Sequence, residues 1–389
     1  MSNIDGLVKD SVKNMAPSGI RKYFNLINEM EDVISLGIGE PDFITPWQIR
    51  EAAIYSIEKG HTHYTANAGM KELRSEISKY IKKHYNLDYN ADNEILVTVG
   101  ASEGIDLPLR AILEKDDEVI IPEPSFVAYR GCVEASGGKA VPLVLEEEDK
   151  FKIIPKELEK VITKKTKAII IPFPNNPTGS IMTNDELKGI VDILKDKDIL
   201  ILSDEIYSRL TYGVKHASIA SFEEIKDKVI YINGFSKSHA MTGWRLGYIC
   251  CHKDLLAHMK KIHQYTLMCA STVSQYAGLE ALKTCDENVE KMVEEYNRRR
   301  KYMVKGFRDM GLSCFEPEGA FYVFPNITST GLSSDEFCER LLKEKKVLVV
   351  PGSAFGQSGE GFIRATYASS LDTIKEAIKR INEFIKELK

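Results

Sequence analysis

The sequence has no paired cysteine spacing, no long apolar run and no surplus of positive charge, and each absence removes a class of function. Its seven cysteines, Cys132, Cys250, Cys251, Cys269, Cys285, Cys314 and Cys338, form an odd set without a C-x-x-C pair. That disfavours a disulfide framework and a zinc centre, and it points to a reducing, cytoplasmic setting. The opening MSNIDGLVKD lacks the apolar core of a secretory signal. No apolar stretch approaches the roughly 18–20 residues that span a bilayer, so no membrane association is expected. Lys and Arg total 52 against 57 Asp and Glu, a formal net charge of -5. Without clustered base there is no general surface for nucleic acid, whose binding works by displacing counterions from phosphates. His61, His63, His216, His239 and His263 lack metal-ligand spacing, so no metal is expected.

What is present is a chain of 389 residues, 43% hydrophobic and 28% charged, longer than one hydrophobic core usually grows, so two lobes are expected. Between about Ile49 and Leu282, short apolar β-branched runs alternate with amphipathic stretches. This is the pattern of an α/β protein with a mainly parallel sheet sandwiched by helices. EILVTVG (94–100), EVIIP (118–122), KAIIIPFP (167–174), ILILSDE (199–205) and VIYING (229–234) read as buried strands. Thr183–Lys197 reads as a helix behind an N-cap and early acids. After Thr284 the pattern becomes α+β, giving expected boundaries of 46–285 for a large lobe, and of 1–45 with 286–389 for a smaller one. Pro108 is expected to kink or shorten the helix that follows Gly100, and Arg298-Arg299-Arg300 to form a solvated face.

Four segments each follow a predicted strand, so the fold can gather them beyond the carboxyl edge of the sheet. Gly100-Ala101-Ser102-Glu103 opens a helix whose free amides suit a phosphate, although strand, glycine and helix are also ordinary turn chemistry. PNNPTG (174–179) turns sharply and presents Asn176. Asp204 ends an apolar strand, where it either pairs with a cation such as a protonated ring nitrogen or caps the next helix. Lys237 follows a strand among Ser236, Ser238 and Thr242, away from acids, with Arg245 eight residues on. A lysine so placed can lose its proton and attack an aldehyde, and an arginine fork suits a phosphate. Ser236 stands where a nucleotide P-loop requires glycine.

ISLGIGEPDF, HYTANAG, PNNPTG, LSDEIY, SKSHAMTGWRLGY, GAFYVFP and PGSAFG occur in this order. Over essentially its whole length the chain resembles the class I/II aminotransferases, enzymes of fold type I that use pyridoxal 5′-phosphate. SGIRKYF, SIASF, HQY and GEGFIRATYA resemble the branch holding aromatic and N-acetyl-diaminopimelate aminotransferases, with aspartate aminotransferases close by. The resemblance implies a seven-stranded-type sheet, a cofactor carried by Lys237, and Lys237 as the base that moves the substrate's α-proton. Asp204 is then the partner of the pyridine nitrogen, Tyr207 and Asn176 the donors to the ring's phenolic oxygen, and Phe126 the stacking ring. Gly100, Ala101, Ser102, Ser236 and Arg245 would hold the phosphate, with Tyr64 reaching over from the other subunit of a homodimer. Arg364 would clamp the substrate α-carboxylate, helped by Gly39 and Asn176. Ile20, Tyr23, Phe126 and Phe321 would lie near the substrate side chain. The family pattern often has a phosphate-binding serine three residues before the lysine, where this chain has Gly234, and the Gly-rich 352–361 is expected to be a mobile loop that positions Arg364. The implied reaction moves an α-amino group from an amino acid to a 2-oxo acid such as 2-oxoglutarate. A lyase acting on C–S bonds would reuse the same residues. A DNA-binding regulator on this fold would need a basic face that is missing.

Overall fold

The computed structural model describes residues 4–13, 15, 19 and 30–388. Among them twelve strands run in chain order: β1 Ile34–Ser35, β2 Ile95–Thr98, β3 Glu118–Glu123, β4 Lys139–Val144, β5 Thr166–Ile171, β6 Leu200–Asp204, β7 Val229–Gly234, β8 Gly247–Cys250, β9 Tyr322–Val323, β10 Val347–Leu348, β11 Val350–Pro351 and β12 Ile363–Thr366. Seven of these form the central sheet in the order β2-β8-β7-β6-β5-β3-β4. Its pairs are parallel except those β8 makes with β2 and β7. The five expected strands are present, with ends that differ by a few residues. The sequence reading missed β4, an edge strand that is half exposed, and β8, a four-residue strand placed just beyond the Lys237 segment.

The strands read as apolar on both faces because both faces are covered. Ile95, Val97, Ile169, Ile171, Ile201 and Tyr231 pack into one cluster, while their neighbours Leu96, Ala168, Ile170, Leu202, Ile230 and Ile232 pack into another. That alternation is the period-two geometry of a strand with a layer of helices on each side. Helix Asn184–Leu194 starts as expected, in a reciprocal capping box between Thr183 and Glu186. Pro108 does not end its helix, which runs Gly100–Ile112 with the proline buried inside it.

A third cluster holds Val347, Leu348, Ile363, Ala365, Ile381 and Phe384, gathered around the antiparallel sheet β11-β12-β9 and the helices Asp286–Asp309, Ser334–Lys345 and Leu371–Leu388. β1 joins it by pairing in parallel with β10. The expected solvated face at Arg298-Arg299-Arg300 is overturned for two of the three. Arg299 bonds Asp42 and Glu295, Arg300 bonds Glu316 and the Pro317 carbonyl, and both are only 6% exposed. Their guanidinium groups lie over aromatic rings, Arg299 over Phe43 and Tyr296 and Arg300 over Tyr212. A charge count cannot see that tertiary partnering. Among the described residues, no helix is long and apolar enough to cross a membrane.

Candidate active site

At the carboxyl ends of β5, β6 and β7 the chain opens a cavity of about 450 Å³. Parallel neighbours place their following residues side by side, so Asn176, Asp204 and Lys237 converge although they are far apart in sequence. The cavity is lined by Gly39, Ala101, Ser102, Phe126, Asn176, Asp204, Tyr207, Ser236, Lys237, Arg245 and Arg364. All eleven were singled out in the sequence.

Lys237 Nζ donates to the Gly39 carbonyl at 2.6 Å. Burial, helped by the nearby Arg364 charge and opposed by Glu40, brings its ammonium down to about 8. A neutral amine is therefore available near physiological pH, the form that attacks a carbonyl carbon. Asp204 is pushed the other way, up to about 6, by burial, while a bond from Tyr129 opposes the rise. Tyr129 donates to its Oδ2 at 2.7 Å, and the Ile206 N–H reaches Oδ1 at 3.2 Å. A buried carboxylate held this way is prepared for a cationic partner. No helix follows Asp204, so it caps none.

At the other end, Arg245 has a left-handed backbone, with φ 52°. Its guanidinium donates to the Thr242 carbonyl at 2.9 Å and approaches Ser102 Oγ at 3.5 Å. Gly100 backs this arrangement rather than lining the cavity. Its φ is 72°, and a Cβ there would come within 2.7 Å of Arg245 Nη2. The guanidinium, Ser102, Ser236 and the helix start are groups that could together hold a dianion.

Arg364 is buried and donates to Asn176 Oδ1 at 2.9 Å and to the Gly37 carbonyl at 2.6 Å. Its guanidinium lies 4.4 Å from the Tyr322 ring centre and 4.8 Å from that of Phe355, which the Gly-rich 352–361 contributes. Nε has no partner. The Gly-rich segment thus packs against Arg364, and it is itself bonded from Gly352 N to Phe362 O and from Ser125 N to Phe355 O.

A buried amine, an acid at one end and an anion cradle at the other match the carbonyl, the ring nitrogen and the phosphate of pyridoxal 5′-phosphate. A family model for aminotransferase class I and II matches residues 31–381. The chain belongs to that family. The putative aminotransferase YugH of Bacillus subtilis (strain 168) is 50% identical over 378 residues, covering 97% of this chain and 98% of that one. Aromatic-amino-acid aminotransferase 2 of Thermococcus litoralis is 45% identical, covering 98% and 99%. The solved aspartate aminotransferase from Thermus thermophilus with maleate superposes with a TM-score of 0.92 at 33% identity, covering 97% and 99%. The aminotransferase is thus a pyridoxal-phosphate-dependent enzyme of fold type I, acting on an amino acid and a 2-oxo acid.

Some parts of the aminotransferase's cavity were not anticipated. Gly37, Ile105, Val127, Tyr129, Pro174, Ile206, Thr242 and Tyr322 also line it. Tyr129 lies on a short helix, Ala128–Ala135, that starts just after Phe126, and no local pattern marked it. Phe321 does not line the cavity. It is fully buried against Tyr207, Tyr296 and Tyr322, with its ring 5.7 Å from Lys237 Nζ. Tyr64 is 81% exposed and stands outside the cavity of its own chain. Ile20 and Tyr23 fall outside the described residues. Gly234 approaches β8 so closely that a Cβ would meet Gly247 Cα and the Leu246 carbonyl at 3.0 Å.

Proposed function

We propose that the enzyme transfers the amino group of an aromatic amino acid or N-acetyl-LL-diaminopimelate to 2-oxoglutarate, with Lys237 as its catalytic residue. The cavity lining carries this reading. Among the described residues it holds three cations, Lys237, Arg245 and Arg364, and the rest of its wall includes Ile105, Phe126, Val127, Ile206, Tyr207 and Tyr322. With Arg245 on the phosphate and Arg364 on the α-carboxylate, the remaining wall suits an aromatic donor side chain, while N-acetyl-LL-diaminopimelate, which carries a second carboxylate, is supported by a relative named for it. The relative named for aromatic amino acids supports the same choice. Aspartate is the alternative donor, supported by the structural neighbour of that name, and a C–S lyase is a more distant one.

When bound, pyridoxal phosphate supplies an electron sink for the charge left at the donor's Cα. The chain's residues do the rest. Lys237 would hold the cofactor and then, as a free amine, carry the proton from the donor's Cα to the cofactor's C4′ carbon. Asp204 keeps the ring nitrogen protonated. Tyr207 and Asn176 would bond the phenolic oxygen, Phe126 would stack on the ring, and Ala101, Ser102, Ser236 and Arg245 with the Gly100 amide would hold the phosphate. Arg364, with Gly39 and Asn176 beside it, fixes the α-carboxylate so that the Cα–H bond faces Lys237. Two lobes, 46–285 and 1–45 with 286–389, form one subunit of a cytoplasmic homodimer, in which Tyr64 reaches the neighbouring site.

A panel of donors with 2-oxoglutarate tests the substrate. Phenylalanine, tyrosine or the acetylated diamino acid should lead in kcat/KM. Aspartate ahead of them by more than about tenfold, roughly 1.4 kcal/mol, would reverse the ranking, and pyruvate with ammonia released in the absence of an acceptor would indicate a lyase. Borohydride reduction should leave a pyridoxyl mass on the Lys237 peptide, and a label elsewhere would remove Lys237 from its role.

A further inference from the structure

Tyr322 touches three parts of the site at once. Its hydroxyl lies 2.8 Å from that of Tyr207, and both are buried. Its ring supports the Arg364 guanidinium at 4.4 Å. The same hydroxyl fills the space beside Gly39 so fully that a Cβ there would overlap it, and the Gly39 carbonyl is the resting partner of Lys237. Tyr322 begins β9, opposite Thr366 of β12, the strand that carries Arg364.

Burial raises the pKa of Tyr207 and, more weakly, that of Tyr322, where the Arg364 charge opposes it. Both stay neutral phenols, each with one proton to give. If Tyr207 spends its proton on the cofactor's phenolic oxygen, the proton in the bond between the two tyrosines has to come from Tyr322. A donor that itself accepts a bond donates more strongly.

We propose that Tyr322 is a positioning residue, which donates to Tyr207 and so holds the Tyr207 proton toward the cofactor ring oxygen. The proposal rests on the role given to Tyr207 above. A strong donor on that oxygen spreads the negative charge that otherwise holds a proton on the neighbouring nitrogen. Weakening the donor therefore raises the pH at which the bound cofactor's absorbance changes.

The test compares purified holoenzymes of Tyr322→Phe, Tyr207→Phe and the double variant by spectral pH titration and steady-state kinetics. Tyr322→Phe keeps the ring under Arg364, so the donor KM should stay within about twofold while kcat falls about fivefold and the spectral midpoint rises by about half a pH unit. In the Tyr207→Phe background the same change should add little, because its effect passes through Tyr207. An unshifted midpoint in Tyr322→Phe beside a shifted one in Tyr207→Phe would overturn the role of Tyr322 and leave that of Tyr207 standing. No shift in either would overturn both roles. An equal shift in both backgrounds would show that Tyr322 acts by another route and would also overturn the proposal. If Tyr322→Phe folds poorly, Gly39→Ala crowds the same hydroxyl from the other side and should move the midpoint in the same direction, with no movement counting against the proposal.

Discussion

Tyr129 donates its hydroxyl proton to Asp204 Oδ2 at 2.7 Å in a fully buried contact. Burial, with a smaller push from Glu205, raises that carboxyl, and the bond, with the Ile206 N–H and the Lys237 charge, holds the rise to about 6. Tyr129→Phe removes that bond, so Asp204 should stay protonated to higher pH. In the cofactor-free protein the Asp204 titration should move upward by about half to one pH unit. An unmoved Asp204 titration, followed by NMR, would show that Asp204 does not rely on Tyr129.

The same carboxyl makes a stability prediction for the enzyme stripped of cofactor. Its folded pKa lies above the ordinary value of 3.8, at about 6, so the folded state binds the proton more tightly. Stability from this group is fully present below pH ~3.8 and is lost as pH rises through about 6, by roughly 3 kcal/mol in all. Asp204→Asn should therefore be more stable than the parent at pH 8 in urea unfolding, with the gap closing below pH ~4. It should also lose at least about 100-fold in kcat. A variant less stable at pH 8 would contradict the sign.

Arg364 is held by Asn176 and by the Gly37 carbonyl, between two aromatic rings. A lysine keeps the charge but loses the fork and the planar stacking. Arg364→Lys should lower kcat/KM about 100-fold for every donor alike, since the group reads the α-carboxylate that all share. A loss confined to one donor class in the substrate panel would place Arg364 at the side chain instead.

Tyr64 is 81% exposed and outside the cavity of its own chain. Mixing Lys237→Ala subunits with Tyr64→Phe subunits should give heterodimers in which one site has both residues, recovering up to about a quarter of parental activity under random exchange. Mixtures no more active than their components would mean that each site is built from one chain.

Gly234 stands where a phosphate-binding serine is common in the family pattern. A Cβ added there would meet Gly247 Cα and the Leu246 carbonyl at 3.0 Å, so a side chain needs β8 to give way. Gly234→Ser should cost about 1–3 kcal/mol in thermal or urea unfolding and should not tighten cofactor binding. Tighter binding without loss of stability would show that β8 yields easily.

Much of the fold was legible in the chain itself. Doubly buried strands such as Ile169–Ile171 and Ile201–Leu202 are apolar throughout, and the Thr183 capping box is a local signal read within four residues. Lys237, Asp204, Asn176, Arg245 and Arg364 could also be named, because each sits in a motif whose residue types carry its chemistry. What the chain could not reveal are relationships between segments. β4 and β8 are strands through their neighbours more than through their own pattern. Arg299 and Arg300 are buried because Asp42, Glu316 and aromatic rings come to meet them. Tyr129 reaches Asp204 across 75 residues and Tyr322 reaches Tyr207 across 115. Local sequence determines which groups are available and which strands are buried on both faces, since propensity and periodicity act over a few residues. Tertiary structure alone decides which polar groups share a buried space, and there burial, adjusted by neighbouring charges and bonds, shifts the protonation of Asp204 and Lys237.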